Sequence, residues 1–66
     1  MDQIRLLAES TAEELMADLH SGRLPKVGIR EIRQALLRKV QGRNFTGGEL
    51  DRLEELTTRL VCEKVG

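Results

Sequence analysis

The chain has 66 residues, of which 39% are hydrophobic and 33% are charged, and this is enough for one small domain. A chain of this length buries only about 60% of the surface that it exposes when unfolded, so such chains often add disulfides, a metal ion or a partner subunit. One cysteine excludes an internal disulfide, and one cysteine with one histidine is too few for a structural zinc site. We therefore expect no metal and no cofactor, and we expect tight helix packing or self-association to supply the missing stability.

The first residues do not resemble a targeting segment. Residues 1–10 contain acidic side chains and no long apolar run, unlike a signal peptide. No stretch approaches the ~20 apolar residues that a membrane-spanning helix needs. We expect a cytoplasmic protein without a membrane segment, and the missing disulfide framework is typical of that compartment.

Apolar and small side chains recur at helical spacing over the first third of the chain. Steps of three and four residues separate the members of this stripe, which are Ile4, Leu7, Ala8, Thr11, Leu15 and Leu19. The period predicts an amphipathic helix from about Gln3 to His20. Because Ser10 and Glu13 have capping-box spacing, this helix either runs unbroken or restarts near Ser10. Gly22 suits the left-handed position just after a helix end.

A connector and a second amphipathic helix follow. Pro25 disfavours helical geometry at the residue before it, so residues 21–28 are predicted to link two helices. The next helix is predicted from about Ile29 to Gln41, and Gly42 is a typical stop signal. Its apolar face consists of Ile29, Ile32, Leu36, Leu37 and Val40.

The third helix has the best-defined start. Thr46 and Glu49 have the spacing of a capping box, in which each side chain binds the backbone amide of the other residue. We predict a helix from about Gly47 to Lys64. Its apolar face consists of Leu50, Leu53, Leu56, Leu60 and Val61. Gly47-Gly48 either only turns the chain or binds an anion at the helix start, and the sequence leaves both open.

These elements predict an all-α fold. No segment alternates apolar and polar residues as a strand does, so we expect one helical domain over residues 1–66. It is predicted to be a small three-helix bundle, orthogonal or up-down, or four short helices if the first one is broken. The predicted core consists of Ile4, Leu7, Leu15, Leu19, Ile32, Leu36, Leu37, Val40, Leu50, Leu53, Leu56 and Leu60.

The net charge of the chain is zero, but the charged residues are unevenly distributed along it. Residues 1–22 have a net charge of −4, residues 23–43 of +6 and residues 44–66 of −2. A basic middle helix between two acidic ones gains favourable pairings, although each surface pair contributes only roughly 0–1 kcal/mol. We expect these pairs to guide the arrangement of the helices more than to stabilise it.

Composition and motifs favour a binding protein over an enzyme. The only histidine and the only cysteine fall in different predicted helices, and neither belongs to a catalytic motif. The apolar stripes exceed what so small a monomer is expected to cover, so the predicted partner is another protein or a second copy in a homodimer. The alternative is a nucleic-acid-binding or transcription-regulating module that uses the basic segment 23–43. Against it, the third helix, which would read the major groove, is acidic.

Five side chains are candidates for partner binding: Arg30, Arg33, Arg38, Lys39 and Cys62. Arg33 falls within the apolar face of the second helix, so its guanidinium reaches either water, a nearby acid of the same chain, or a glutamate of a partner. Cys62 falls opposite the leucines of the third helix, where we expect it to be exposed. It is either a tolerated small residue or a thiol used for an intermolecular contact or a redox response.

The order Ile32-Arg33-Gln34-Ala35-Leu36, Gly42, Phe45 and Leu60-Val61 resembles the carboxy-terminal half of bacterial flagellar anti-sigma factors. About half of the chain is covered, and two residues separate Gly42 from Phe45 where that family has one. The resemblance implies a small bacterial inhibitor whose acidic helix wraps its target, which is a minor sub-case of a regulatory binding protein.

Overall fold

The computed structural model describes residues 2–65 and forms three α-helices over this range. They are α1 (Gln3–Ser21), α2 (Ile29–Val40) and α3 (Gly47–Val65). The predicted all-α three-helix bundle is confirmed. All three helices begin at the expected residue, and each ends one residue from the predicted position.

Helix α1 runs unbroken through Ser10, which decides between the two predicted forms. Asp2 caps its start, since one carboxylate oxygen accepts hydrogen bonds from the amides of Ile4 at 3.1 Å and Arg5 at 3.4 Å. These donors would otherwise have no partner at a helix start. Ser10 does not cap a second helix, and its hydroxyl instead accepts a hydrogen bond from Lys39 Nζ at 3.3 Å.

The remaining helix boundaries follow local signals in the sequence. Gly22 and Gly42 both have φ of 84°, a left-handed conformation that glycine adopts without strain. At the start of α3 the capping box forms as predicted. The Thr46 hydroxyl accepts from the Glu49 amide at 3.2 Å, and the Glu49 carboxylate accepts from the Thr46 amide at 3.0 Å.

The core is centred on the interface between α1 and α3, which make most of the close backbone approaches between helices. Several of its buried side chains are small alanines and threonines. The buried residues are Ala8, Thr11, Ala12, Leu15 and Met16 of α1, Ile32 and Leu36 of α2, and Leu53, Thr57 and Val61 of α3. The hydroxyls of Thr11 and Thr57 each donate to the carbonyl four residues earlier at 2.7 Å. Buried threonines are therefore satisfied within their own helices, and small side chains let the helix axes approach closely.

Two of the twelve predicted core residues are wrong. Leu37 is 65% exposed and Leu50 is 37% exposed. Four of the others are buried and six pack partly buried against the core. The prediction failed at Leu37 because α2 buries Ile32 and Leu36, and the residue after Leu36 is turned by about 100° beyond the edge of that contact.

Candidate protein-binding groove

Helices α2 and α3 leave an open groove between them, which we call the α2/α3 groove. One end is an apolar depression of about 180 Å³. Its walls include Leu36, Leu37 and Val40 of α2 and Leu50 and Leu53 of α3. The other end is wider and more polar, with a volume of about 580 Å³. Its walls include Ile29 of α2 and Asp51, Glu55, Thr58 and Cys62 of α3.

The groove collects exposed apolar side chains. Five large apolar side chains between residues 2 and 65 are exposed, and three of them, Ile29, Leu37 and Leu50, line this groove. A cavity of about 150 Å³ in a protein is large enough to hold benzene. The apolar end, at about 180 Å³, therefore has room for one aliphatic or aromatic side chain of another molecule.

An ion pair joins the two walls and borders both ends of the groove. Arg33 Nε donates to Glu54 Oε1 at 2.9 Å, so the guanidinium reaches an acid of its own chain. The Arg33 side chain is 62% exposed and that of Glu54 is 27% exposed. A pair this exposed contributes roughly 0–1 kcal/mol. Its main effect is to fix the position of α2 along the axis of α3. The other N–H groups of Arg33 stay accessible to a second carboxylate.

The structure brings two of the five predicted partner-binding residues into the groove. Arg33 lies at its middle, and Cys62 lies on the α3 wall of the wide end. Cys62 is exposed, as predicted. Arg30 and Arg38 are also exposed. By helical geometry Arg30 follows Ile29 on the outer edge of the α2 wall, whereas Arg38 lies on the far side of that helix.

Lys39 lies on the side of α2 that faces α1. Its ammonium contacts Glu14 Oε1 at 2.7 Å, and only 22% of the Lys39 side chain is exposed. Together with the pair between Arg33 and Glu54, this gives one ion pair from the basic helix to each of its acidic neighbours. Such pairings are what the uneven charge distribution predicts.

The two walls of the groove have opposite charge. Helix α2 has four basic side chains and one acidic one, whereas α3 has five acidic and three basic. Four of the α3 acids, Asp51, Glu54, Glu55 and Glu63, line the groove beside one basic side chain of the same helix, Arg59. Arg33 faces them from α2. A molecule that binds across the groove therefore meets positive charge on one side and negative charge on the other.

Several groove residues escaped the sequence analysis, among them Leu37, Leu50 and Glu54. The sequence predicts Leu37 and Leu50 in the core. Leu37, however, lies at the edge of the apolar face next to Arg33, and a position beside a charged residue indicates a partly exposed side chain. Glu54 was not singled out as a partner for Arg33. Which acid Arg33 contacts depends on the axial offset between α2 and α3, and the periodicity within one helix does not contain that information.

The described residues add two findings on other kinds of site. Between residues 2 and 65, no group of three or more His, Cys, Asp or Glu side chains is placed to hold a metal ion. None of the helices in that range is both long and apolar enough to cross a membrane.

No family model matches the chain, and no curated protein and no solved structure is significantly similar to it. The resemblance to flagellar anti-sigma factors thus finds no matching family model. The function is argued below from the groove and its residues.

Proposed function

We propose that this chain is a small, non-catalytic protein-binding module whose α2/α3 groove is covered by amphipathic helices of its partner. The observation that supports this most is the exposure of Leu37 and Leu50 on opposite walls, beside the buried Leu36 and Leu53. Amphipathic helices bind such a surface by packing their apolar side chains on its apolar side chains, and polar residues at the rim fix the orientation.

The exposed apolar side chains of this groove supply part of the free energy that specific binding needs. Full burial of one large aliphatic side chain contributes about 1.5–3 kcal/mol. Ile29, Leu37 and Leu50 are 51%, 65% and 37% exposed. Covering them therefore supplies about 2–5 kcal/mol, and the apolar side chains of the partner add to this against the cost of association. Arg33 and the carboxylates of the α3 wall select a partner surface that places acidic side chains over α2 and basic side chains over α3.

Nucleic-acid binding through the basic segment 23–43 remains the alternative prediction. Phosphate binding uses several lysines and arginines on one surface. Two of the seven basic side chains in this segment, Arg33 and Lys39, already contact carboxylates of other helices. The geometry therefore favours a protein partner over a phosphate backbone.

A Leu37→Glu variant tests the proposal because it places a charge at the most exposed apolar position of the groove. The isotope-labelled, tagged chain is used to capture proteins from its native lysate, so that mass spectrometry separates bait peptides from those of the native copy. We expect capture of a specific protein, the native chain included, to fall at least about tenfold, which corresponds to 1.4 kcal/mol. A charge desolvated in an apolar contact is costly enough for this loss.

Leu6→Glu is the matched control, since Leu6 is 49% exposed on α1 and lies outside the α2/α3 groove. It is expected to capture the same protein as the unchanged chain, with or without nuclease. Equal capture by Leu37→Glu and Leu6→Glu would refute the groove as the binding surface. Capture that disappears after nuclease treatment would favour the nucleic-acid alternative.

A further inference from the structure

We infer that the partner that covers the α2/α3 groove is a second copy of this chain, related to the first by a two-fold axis that runs along the groove. The inference rests on the proposed function and names its partner. Two observations support it: the opposite charges of the two walls, and the pairs of residues that lie opposite each other across the groove. A homodimer with two-fold symmetry presents the same patch twice, so the patch must be complementary to itself.

Charge decides how two copies are able to face each other. A two-fold axis along the groove places α2 of each copy over α3 of the other, so a basic wall meets an acidic wall twice. An axis across the groove places α2 over α2 and α3 over α3, and like charges then oppose each other. Opposed like charges at an interface disfavour association. The opposite charges of the two walls therefore select the axis along the groove.

The positions of the residues along the groove are compatible with the same axis. Rotation about an axis along the groove leaves each residue at its own height, so residues that lie opposite each other within one copy also lie opposite each other between copies. Arg33 and Glu54 are at one height, because they contact each other at 2.9 Å. In the dimer, Arg33 of one copy thus faces the partner's Glu54, and its accessible N–H groups are able to donate to that carboxylate.

The same rotation matches the apolar ends. Leu37 and Leu50 line the same depression from opposite walls. Leu37 of one copy then lies over the partner's Leu50, and symmetry repeats this contact. An interface of standard size takes about 800 Å² from each partner, which is about a sixth of the 4904 Å² that this chain exposes. One face of a small bundle supplies this area, and pairing adds the stability that a core of this size lacks.

Two charge variants test the arrangement. In the first, Arg30→Glu with Arg33→Glu makes both walls acidic, and in the second, Asp51→Lys with Glu55→Lys makes the α3 wall basic like the α2 wall. Sedimentation equilibrium on the full chain should give the unchanged protein a mass of twice 7.5 kDa at high concentration. Each variant alone should dissociate at least about tenfold more readily, because attractive wall contacts become repulsive. An equimolar mixture should form a heterodimer at least about as tightly as the unchanged chain.

The mixture separates loss of binding from loss of folding, since two misfolded chains would not restore association. A mixture that stays monomeric while both variants retain the helical circular-dichroism spectrum would overturn the inference. An unchanged chain that stays monomeric would overturn it as well. Groove-dependent capture of a different protein in the lysate experiment would then leave the proposed function intact, whereas no groove-dependent capture would remove both.

Discussion

Leu53→Ala is expected to lower the free energy of unfolding by about 2–5 kcal/mol, the range for truncating a buried leucine. Leu53 is fully buried and is among the largest of the fully buried side chains in residues 2–65. A core in a chain this short supplies about 3–5 kcal/mol in total. The variant should therefore be largely unfolded at 25 °C, as measured by circular dichroism in a urea titration at low protein concentration.

Leu37→Ala is the matched control, because it removes the same atoms from a residue that is 65% exposed. At a concentration where the chain is monomeric, its unfolding free energy should change by less than about 0.5 kcal/mol. Similar losses at the two leucines would show that Leu37 belongs to the core, and the α2/α3 groove would then lose its main apolar anchor.

Ala12→Leu is expected to destabilise the fold by about 1–3 kcal/mol, because the added atoms have no space in a fully packed core. Ala12 is 0% exposed and belongs to the buried core cluster, to which all three helices contribute. Accommodating leucine there requires the neighbouring side chains or helices to move. Thermal unfolding of the monomer should show a clearly lower midpoint temperature.

Ala17→Leu provides the comparison, since Ala17 is exposed on the same helix. Alanine and leucine have similar helix propensities, so this change should leave the midpoint temperature nearly unaltered. If Ala12→Leu were equally harmless, the close packing of the core would not be what holds the bundle together.

The helices of this protein were predictable because each boundary has a local cause. The capping box at Thr46, the proline at residue 25 and the glycines after α1 and α2 all act within a few residues of themselves. The continuity of α1 was not predictable in the same way. Ser10 has capping spacing, yet its hydroxyl meets Lys39 of another helix, and that contact exists only after folding.

The core was predicted less well than the helices. Periodicity identifies the apolar face of a helix, but not which edge of that face a neighbouring helix covers. The pattern of large apolar side chains favours Leu37 and Leu50, which are exposed, over Ala12 and Thr57, which are fully buried. Small side chains were overlooked because their importance lies in the close helix approach that they permit. That approach is a property of two helices and not of either sequence segment alone.

The α2/α3 groove follows from the unequal lengths of the helices. Helix α2 has 12 residues and α3 has 19, so at about 1.5 Å per residue α2 is roughly 10 Å shorter. Its contacts with α3 therefore end near Ile29, and the α3 wall continues past it toward Glu63 to form the wide end of the groove. The sequence predicts both lengths to within one residue, but the exposed groove also depends on how α2 is rotated against α3.

Isotope-filtered nuclear Overhauser spectroscopy on a mixture of labelled and unlabelled chain tests the central claim most directly. If a second copy covers the α2/α3 groove about an axis along it, methyl groups of Leu37 in one copy should show contacts with those of the partner's Leu50. The same spectra should show no contacts between the methyl groups of Leu6 in the two copies. Intermolecular contacts confined to Leu6, or none at concentrations near 1 mM, where even weak complexes form, would contradict the account.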